Sequence, residues 1–252
     1  MNPNNNQIKV FNTTKFNLGP TQNSPSTPFI NIYFGDSRNY KNKTDELKQY
    51  LSGYELERMN KLTNFDDQIC YLVVHSQLKK YLGNILNHQT HELFIDFSGI
   101  TKPHLIDYEL DFNLSHSSNY FSFGISDNAK LQIGIDIEAV KDLDFMNVSL
   151  KTYFSDEECD YILQSKKNLT EKKIRFYEVW TCKEALLKMI GTGLSVDLKK
   201  ICIKPGLSSS FIDLSEMGKN YPENAYIYSK RYTDFVVSVS LSEDKNPVFI
   251  EI

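Results

Sequence analysis

The chain has 252 residues and a formal net charge of −4, with 40% hydrophobic and 24% charged residues. These values are typical of a globular protein, and the acidic balance argues against broad nucleic-acid binding, which needs a basic surface. No apolar run approaches the length of a membrane span, and residues 1–6 lack the charged and apolar regions of a signal peptide. The four cysteines show neither metal-ligand spacing nor a dense disulfide pattern, so we expect a cytoplasmic chain with no membrane or nucleic-acid partner.

The first half of the chain is predicted to contain both helices and strands. Residues 1–28 are rich in Asn, Thr, Ser and Pro, which predicts a flexible tail. The elements expected after it are a strand at Phe29–Phe34, helices that begin at Thr44, Ser52 and Asn64, and strands at His91–Phe97 and Tyr120–Ser126. Ser52 has capping-box spacing with Glu55. The helix from Asn64 is predicted to reach Leu82 and to stop at Gly83.

The second half is predicted to repeat this mixture of elements. A strand at Lys130–Glu138 follows Asp127-Asn128, which predicts a hairpin turn after Tyr120–Ser126. The later elements are a helix with a capping box at Ser155, a helix from an N-cap at Thr170 to Gly191, and strands at Ile201–Lys204, Ala225–Ser229, Phe235–Leu241 and Val248–Ile252. Groups of helices followed by strands therefore occur before and after about residue 126, although no residue-level repeat is visible.

Two acids on one predicted strand are the first candidate site. Apolar residues occupy alternate positions from Leu131 to Ile137, so Asp136 and Glu138 project together from the opposite face. Such carboxylates repel unless a cation or a shared proton compensates them. Paired hard oxygens suit Mg²⁺, which takes one or two carboxylates and completes its coordination with water and phosphate. The alternative is an exposed polar strand face.

A predicted helix carries the second candidate site. The segment Phe176–Ile190 has a helical pattern, and spacings of three or four place the following residues on one side: Trp180, Glu184, Leu187 and Lys188. The alternative is an ordinary surface ion pair between Glu184 and Lys188. The sequence Gly191-Thr192-Gly193-Leu194-Ser195 then predicts a flexible turn that ends the helix.

Together these segments resemble the Sfp-type 4′-phosphopantetheinyl transferases. Glu184 follows Glu138 by 46 residues, which fits the separation between the family's G-[ILV]-D-[IVL]-E strand and its W-x-x-K-E-[AS]-x-x-K helix. The segments similar to family motifs are, in chain order, Lys102-Pro103-His104, Phe112-Asn113-Leu114-Ser115-His116-Ser117, Gly134-Ile135-Asp136-Ile137-Glu138, Phe154-Ser155-Asp156-Glu157-Glu158 and Trp180-Thr181-Cys182-Lys183-Glu184. They occur in the family's order within residues 50–240.

The resemblance implies an α+β fold built from two similar, pseudo-symmetric halves with the active site in the cleft between them. Residues 29–126 would form the N-terminal half and residues 127–252 the C-terminal half, which carries the metal site. The implied enzyme is a monomer of the holo-acyl-carrier-protein synthase type. It would transfer 4′-phosphopantetheine from coenzyme A to a serine of an apo acyl or peptidyl carrier protein and release adenosine 3′,5′-bisphosphate.

The resemblance also assigns roles at the reacting phosphates. Mg²⁺ would be bound by Asp136, Glu138 and Glu184, and Lys188 would neutralise the pyrophosphate. Glu184 or a metal-bound water would deprotonate the serine. Lys183 would either contact the ligand, for example its 3′-phosphate, or lie on the surface.

Further residues would hold the nucleotide end of coenzyme A. Ser115 and His116 would bind its 3′-phosphate, and Lys102-Pro103 would lie under the adenine unless they belong to a solvated loop. The family has a basic residue near the start of the first long helix, where this chain reads Gln68-Ile69-Cys70-Tyr71. Arg58 and Lys61 are the candidates to replace it.

Two other functions are compatible with the same residues. A metal-dependent pyrophosphatase would use the acids with water as the acceptor. A non-catalytic module would bind coenzyme A or a carrier protein without turnover. A hydrolase with Ser115 as nucleophile and His116 as base is disfavoured, because adjacent residues seldom reach that geometry and no G-x-S-x-G motif is present.

Overall fold

The structure is a computed structural model that describes residues 30–90, 93–96, 102–126, 130–142, 146–165, 168–193, 196–203, 209–215 and 221–252. The predicted tail at residues 1–28, the turn at Asp127-Asn128 and the end of the turn at Leu194-Ser195 lie outside the described residues. Among the described helices, none is long and apolar enough to cross a membrane.

The chain contains both helices and strands, which confirms the predicted α+β class. The helices are α1 (Thr44–Lys48), α2 (Gly53–Asn60), α3 (Phe65–Leu86), α4 (Met146–Tyr153), α5 (Asp156–Leu163) and α6 (Leu169–Ile190), with 3₁₀ helices at Ser37–Lys43 and Leu198–Lys200. The strands are β1 (Ile30–Asp36), β2 (Ile95–Asp96), β3 (His104–Leu105), β4 (Phe112–Ser117), β5 (Tyr120–Ile125), β6 (Ile133–Ala139), β7 (Ser209–Asp213), β8 (Asn224–Arg231), β9 (Phe235–Leu241) and β10 (Pro247–Glu251).

Two four-stranded sheets organise the fold. The first has the order β10-β1-β5-β4, the second has the order β6-β9-β8-β7, and β2 pairs with β3 separately. The last strand therefore returns to the first sheet, where β10 pairs in parallel with β1. In the predicted division, β10 belongs to residues 127–252, whereas the strand with which it pairs belongs to residues 29–126.

The predicted hairpin between β5 and β6 is wrong. Strand β5 pairs with β1 and β4, whereas β6 pairs with β9 in the other sheet. The hairpin is formed by β4 and β5, and it turns at Ser118 and Asn119, with Ser118 in the left-handed region at φ 54°. A turn signal in the sequence marks a reversal of the chain, but it does not identify the strand that pairs afterwards.

Local capping signals agree better with the structure. Both predicted capping boxes are confirmed, at Ser52 with Glu55 and at Ser155 with Glu158. Asn64 caps α3 as predicted, but α6 is capped by Asn168 rather than by Thr170. Helix α6 ends as predicted at Gly191, which has a φ of 71°.

Three other elements differ from the prediction. Helix α3 continues past Gly83 to Leu86, because a single helical glycine costs only about 1 kcal/mol and Leu82 and Gly83 are themselves buried. The predicted strand at His91–Phe97 is reduced, within its described residues, to β2. The described part of Ile201–Lys204 is not a strand and follows the 3₁₀ helix instead.

Each sheet packs against one long helix. Residues of α3 share a buried cluster with Phe112, Phe121 and Phe123 of the first sheet. Residues of α6 share another with β8 and β9 of the second sheet. The two sheets meet through a third cluster to which β1, β6 and β9 contribute. This arrangement brings β6 and α6, the two elements with the predicted site residues, into direct contact.

Candidate functional site

A glycine allows β6 to lie directly on α6. A Cβ added at Gly134 would be less than 3.0 Å from the Ala185 carbonyl oxygen and the Met189 amide nitrogen. These backbone atoms belong to the helical turn that carries Glu184 and Lys188. Asp136, two residues after Gly134 on the same side of the strand, therefore faces this turn.

Asp136 is the centre of the polar contacts. It is only 4% exposed, and its Oδ1 accepts hydrogen bonds from Lys188 Nζ at 2.6 Å and Ser115 Oγ at 2.8 Å. Lys188 Nζ also donates to Ser115 Oγ at 2.9 Å. The other carboxylate oxygen, Oδ2, is buried and has no hydrogen-bond partner among the described residues. A buried carboxylate oxygen is costly to leave unpaired, so it marks a place for a positive ligand group.

Two further carboxylates are affected by Asp136. Burial, followed by the negative charge of Asp136, raises the pKa of Glu138 to about 6. The same two causes, in the same order, raise the pKa of Glu184. Glu138 accepts a hydrogen bond from Ser117 Oγ, and Glu184 is half-buried on α6. The three acids therefore share a region in which negative charge is poorly compensated.

These acids fit a hard divalent cation by the chemistry of their oxygens. A nearby cation would give the unpaired Asp136 Oδ2 a partner, and it would oppose the burial and the Asp136 charge that raise the pKa values of Glu138 and Glu184. Within the described ranges, no three His, Cys, Asp or Glu side chains are grouped closely enough to enclose a metal ion. The three-carboxylate metal site accordingly stays a prediction.

A pocket joins predicted residues from distant parts of the sequence. Its lining includes Lys102 and Pro103, which precede β4, and Glu184, Lys188 and Gly191 at the end of α6. The Lys102 amine pairs with the Asp111 carboxylate and donates to the Ile133 carbonyl oxygen. The amine is therefore engaged by the protein, while the rest of the Lys102-Pro103 segment faces the pocket.

The side chains of Ser115 and His116 lie on opposite sides of strand β4. Adjacent strand residues project to opposite faces, and Ser115 Oγ contacts Asp136 and Lys188. The expected pairing of both side chains on one 3′-phosphate is therefore not what the geometry presents. His116, by contrast, is exposed on the other side of the strand. These contacts give no support to Ser115 and His116 as a nucleophile and base.

The expectation for Lys183 is wrong. Its side chain is 0% exposed and forms an ion pair of 2.9 Å with Glu158 of α5, which is equally buried. Its amine also donates to the carbonyl oxygens of Leu198 at 2.7 Å and Ile201 at 2.6 Å. Lys183 is thus neither a surface charge nor a free phosphate ligand, because three partners on two segments occupy it in the core.

The candidates for the missing helix base lie on α2. Arg58 is near the ring of Tyr54, at 5.9 Å from its centroid, and Lys61 is exposed just after the helix. Neither is among the described residues that line the pocket, so their proposed phosphate contact stays a prediction.

Sequence reasoning missed two groups of polar residues. One is a buried network on α2 and α3, in which Lys79 Nζ donates to Glu55 at 2.6 Å and His75 lies 3.6 Å from the same carboxylate. The other is a row on β4 that includes Ser117, which contacts Glu138. The alternation of polar residues along β4 was a signal that could have identified this second group.

Comparisons with known proteins match the part of the chain that carries these acids. Residues 132–240 match the family model of the 4′-phosphopantetheinyl transferase superfamily, and this segment contains β6, α6 and all three acids. This segment of the chain is therefore similar to that superfamily, as are the curated relatives below.

The relatives include Sfp-type enzymes. The chain is 28% identical over 149 residues to the 4′-phosphopantetheinyl transferase gsp of Aneurinibacillus migulanus, covering 59% of this chain and 60% of the relative. It is 30% identical over 159 residues to the 4′-phosphopantetheinyl transferase HetI of Nostoc sp. PCC 7120, covering 62% and 65%. It is 29% identical over 104 residues to the 4′-phosphopantetheinyl transferase Sfp of Bacillus subtilis strain 168, covering 41% and 43%. The chain thus spans less than two thirds of the length of each of these relatives.

Proposed function

We propose that this chain transfers 4′-phosphopantetheine from coenzyme A to a serine of an apo acyl or peptidyl carrier protein and releases adenosine 3′,5′-bisphosphate. The observation that carries the proposal is the convergence of Asp136 and Glu138 on β6 with Glu184 and Lys188 on α6. This convergence lies within the segment that matches the family. In the proposed reaction the serine oxygen forms a bond to the β-phosphorus, and the bond from that phosphorus to the bridging oxygen breaks.

The proposal includes a Mg²⁺ ion held by Asp136, Glu138 and Glu184. When bound, the ion would neutralise the charge that develops on the pyrophosphate and fix its orientation. The buried, unpartnered Asp136 Oδ2 supports this assignment.

Lys188 and Glu184 would act on the reacting groups themselves. Lys188 is half-buried at the pocket and contacts Asp136, so a bound pyrophosphate would compete for its compact ammonium group. Glu184 Oε, or a water molecule held at the acids, would take the proton of the carrier serine.

The remaining roles concern the nucleotide and the shape of the enzyme. Lys102-Pro103 would lie under the adenine, and His116 would bind the 3′-phosphate with help from Arg58 or Lys61. The two sheets, each with its long helix, would be the two pseudo-symmetric halves, with the pocket at Glu184 in the cleft between them. We further propose a cytoplasmic monomer, and the four free cysteines are consistent with a reducing compartment.

The experiment is an incubation of the chain with coenzyme A, Mg²⁺ and a panel of apo-carrier proteins, read by intact-protein mass. We expect at least one carrier to gain one phosphopantetheine group, and a carrier with alanine in place of the acceptor serine to gain none. Cleavage of coenzyme A without carrier modification would favour the pyrophosphatase. Binding with neither reaction would favour the non-catalytic module.

A further inference from the structure

A row of side chains on β4 and on the residue just before it connects the two sheets at the candidate site. These residues occupy every second position, so they share one side of the strand: Asp111, Asn113, Ser115 and Ser117. We call them the β4 polar row. Strands β4 and β6 are each the last strand of their sheet, and the row lies between them. Its side chains therefore form hydrogen bonds with β6 in place of the backbone hydrogen bonds that a paired strand would form.

The first two members of the β4 polar row fix the backbone of β6. Asp111 Oδ2 accepts a hydrogen bond from the Ile133 amide at 2.8 Å. Asn113 Oδ1 accepts one from the Ile135 amide at 2.7 Å. Because these acceptors pair with alternate amides of β6, they set the position of β6 along β4.

The last two members reach the acids rather than the backbone. Ser115 Oγ donates to Asp136 Oδ1, and Ser117 Oγ donates to Glu138 Oε2. Asp136 has a second donor in Lys188. Among the contacts of the described residues, the side-chain hydrogen bond to Glu138 comes from Ser117. The orientation of Glu138 consequently depends on one hydroxyl group.

We propose that Ser117 is a positioning residue, whose hydroxyl group holds Glu138 beside Asp136 in the orientation needed to bind a divalent cation. This inference rests on the proposed function, which makes both acids ligands of the ion. Without the hydroxyl, the repulsion between two neighbouring carboxylates favours rotation of Glu138 away from Asp136. Groups that orient metal ligands typically contribute 10- to 100-fold to metal affinity.

The test compares Ser117→Ala, which removes the hydroxyl, with Ser117→Thr, which keeps it. Ser122→Ala is the matched control, because Ser122 lies opposite Ser115 on β5 but donates to the Tyr33 carbonyl oxygen at 2.9 Å. Each full-length protein is titrated with Mn²⁺ in the presence of coenzyme A, and bound ion is measured by electron paramagnetic resonance. Thermal unfolding of the same samples shows that each variant is folded.

We expect Ser117→Ala to bind Mn²⁺ about tenfold more weakly, at the lower end of the range for groups that orient ligands. Ser117→Thr and Ser122→Ala should bind it nearly as the wild type does. In the transfer assay, Ser117→Ala should need more Mg²⁺ for half-maximal rate, with an unchanged KM for the carrier.

Three results would overturn the role of Ser117: wild-type Mn²⁺ affinity in Ser117→Ala, an equal loss in Ser117→Thr, or an equal loss in Ser122→Ala. The titration requires no turnover, so it decides this role even where no carrier is modified. Failure to modify any carrier, with the expected Mn²⁺ pattern, would count against the proposed transfer alone. A wild-type protein that binds no Mn²⁺ would contradict both the role of Ser117 and the metal site.

Discussion

Substitution of Gly134 by alanine should disable the site from a position that touches no ligand. The added Cβ would lie 2.9 Å from Met189 Cα and closer still to the Ala185 carbonyl oxygen, whereas ordinary contacts begin at 3.4 Å. The Met189 Cα must then retreat by about 0.5 Å and the carbonyl oxygen by more than 1 Å. Because all of these atoms are helix backbone, α6 has to move as a body. Overpacking of this kind costs about 1–3 kcal/mol of unfolding free energy.

The displacement would also change catalysis, because Glu184 and Lys188 are on the turn that moves. A misplacement of about 1 Å can lower a rate by about 10². We expect Gly134→Ala to lose carrier modification by this factor, measured as the initial rate by intact mass, and to be destabilised in urea unfolding.

Two other glycines provide matched controls. The three atoms nearest to a Cβ at Gly124 would be the Cδ1 atoms of isoleucine side chains rather than backbone atoms, and a Cβ at Gly53 would meet nothing within 4 Å. Gly124→Ala should therefore retain more activity than Gly134→Ala. Gly53→Ala should be neutral or stabilising by up to about 1 kcal/mol. A normal rate in Gly134→Ala would refute the claim that close contact between β6 and α6 sets the site.

Three further predictions concern single groups. His116→Ala should weaken binding of coenzyme A by about 1.5–3 kcal/mol and spare dephospho-coenzyme A, and equal calorimetric losses for both would contradict a 3′-phosphate contact. Lys183→Met should lower the unfolding free energy, measured in urea, by about 3–5 kcal/mol, because it leaves Glu158 buried without its counter-charge. Normal stability together with weaker coenzyme A binding would contradict this structural role. Burial alone would raise the pKa of Glu55, but the nearby His75 imidazole and the hydrogen bond and charge of Lys79 outweigh it and lower this pKa from 4.5 to about 2. Because the pKa of Glu55 is lower in the folded than in the unfolded protein, its ionised form stabilises the fold at pH values above about 4.5. The difference in unfolding free energy between wild type and Glu55→Gln should therefore shrink as the pH falls from about 4.5 to about 2. A difference that does not change with pH would refute this prediction.

Local signals predicted much of the candidate site from the sequence. The alternation around Asp136 and Glu138 gave the strand and the face of both acids, and β6 has this arrangement. Spacings of three and four placed Glu184 and Lys188 on one side of a helix, and both line the same pocket. These patterns are reliable because they depend on the geometry of one helix or strand, which neighbouring residues determine.

Contacts between distant segments could not be predicted in the same way. The parallel pairing of β10 with β1 joins residues about 217 positions apart, as for Ile30 and Pro247, and neither strand's pattern specifies its partner. Lys183 was expected near a ligand or solvent because it lies about 100° around the helix from Glu184. Its partner, Glu158, is on another helix, so only the packing of α5 against α6 reveals the buried pair.

The central claim is that the acids on β6 and α6 form a transferase site, and Glu184→Gln tests it most directly. The matched control is Glu171→Gln, on the same helix, where the glutamate pairs with Arg175 and Arg231 instead of lining the pocket. The measurement is the initial rate of carrier modification by intact mass at saturating coenzyme A and Mg²⁺. We predict a loss of at least about 10² for Glu184→Gln, comparable to removal of a major electrostatic stabiliser, and a rate close to wild type for Glu171→Gln. A wild-type rate in Glu184→Gln would contradict the claim.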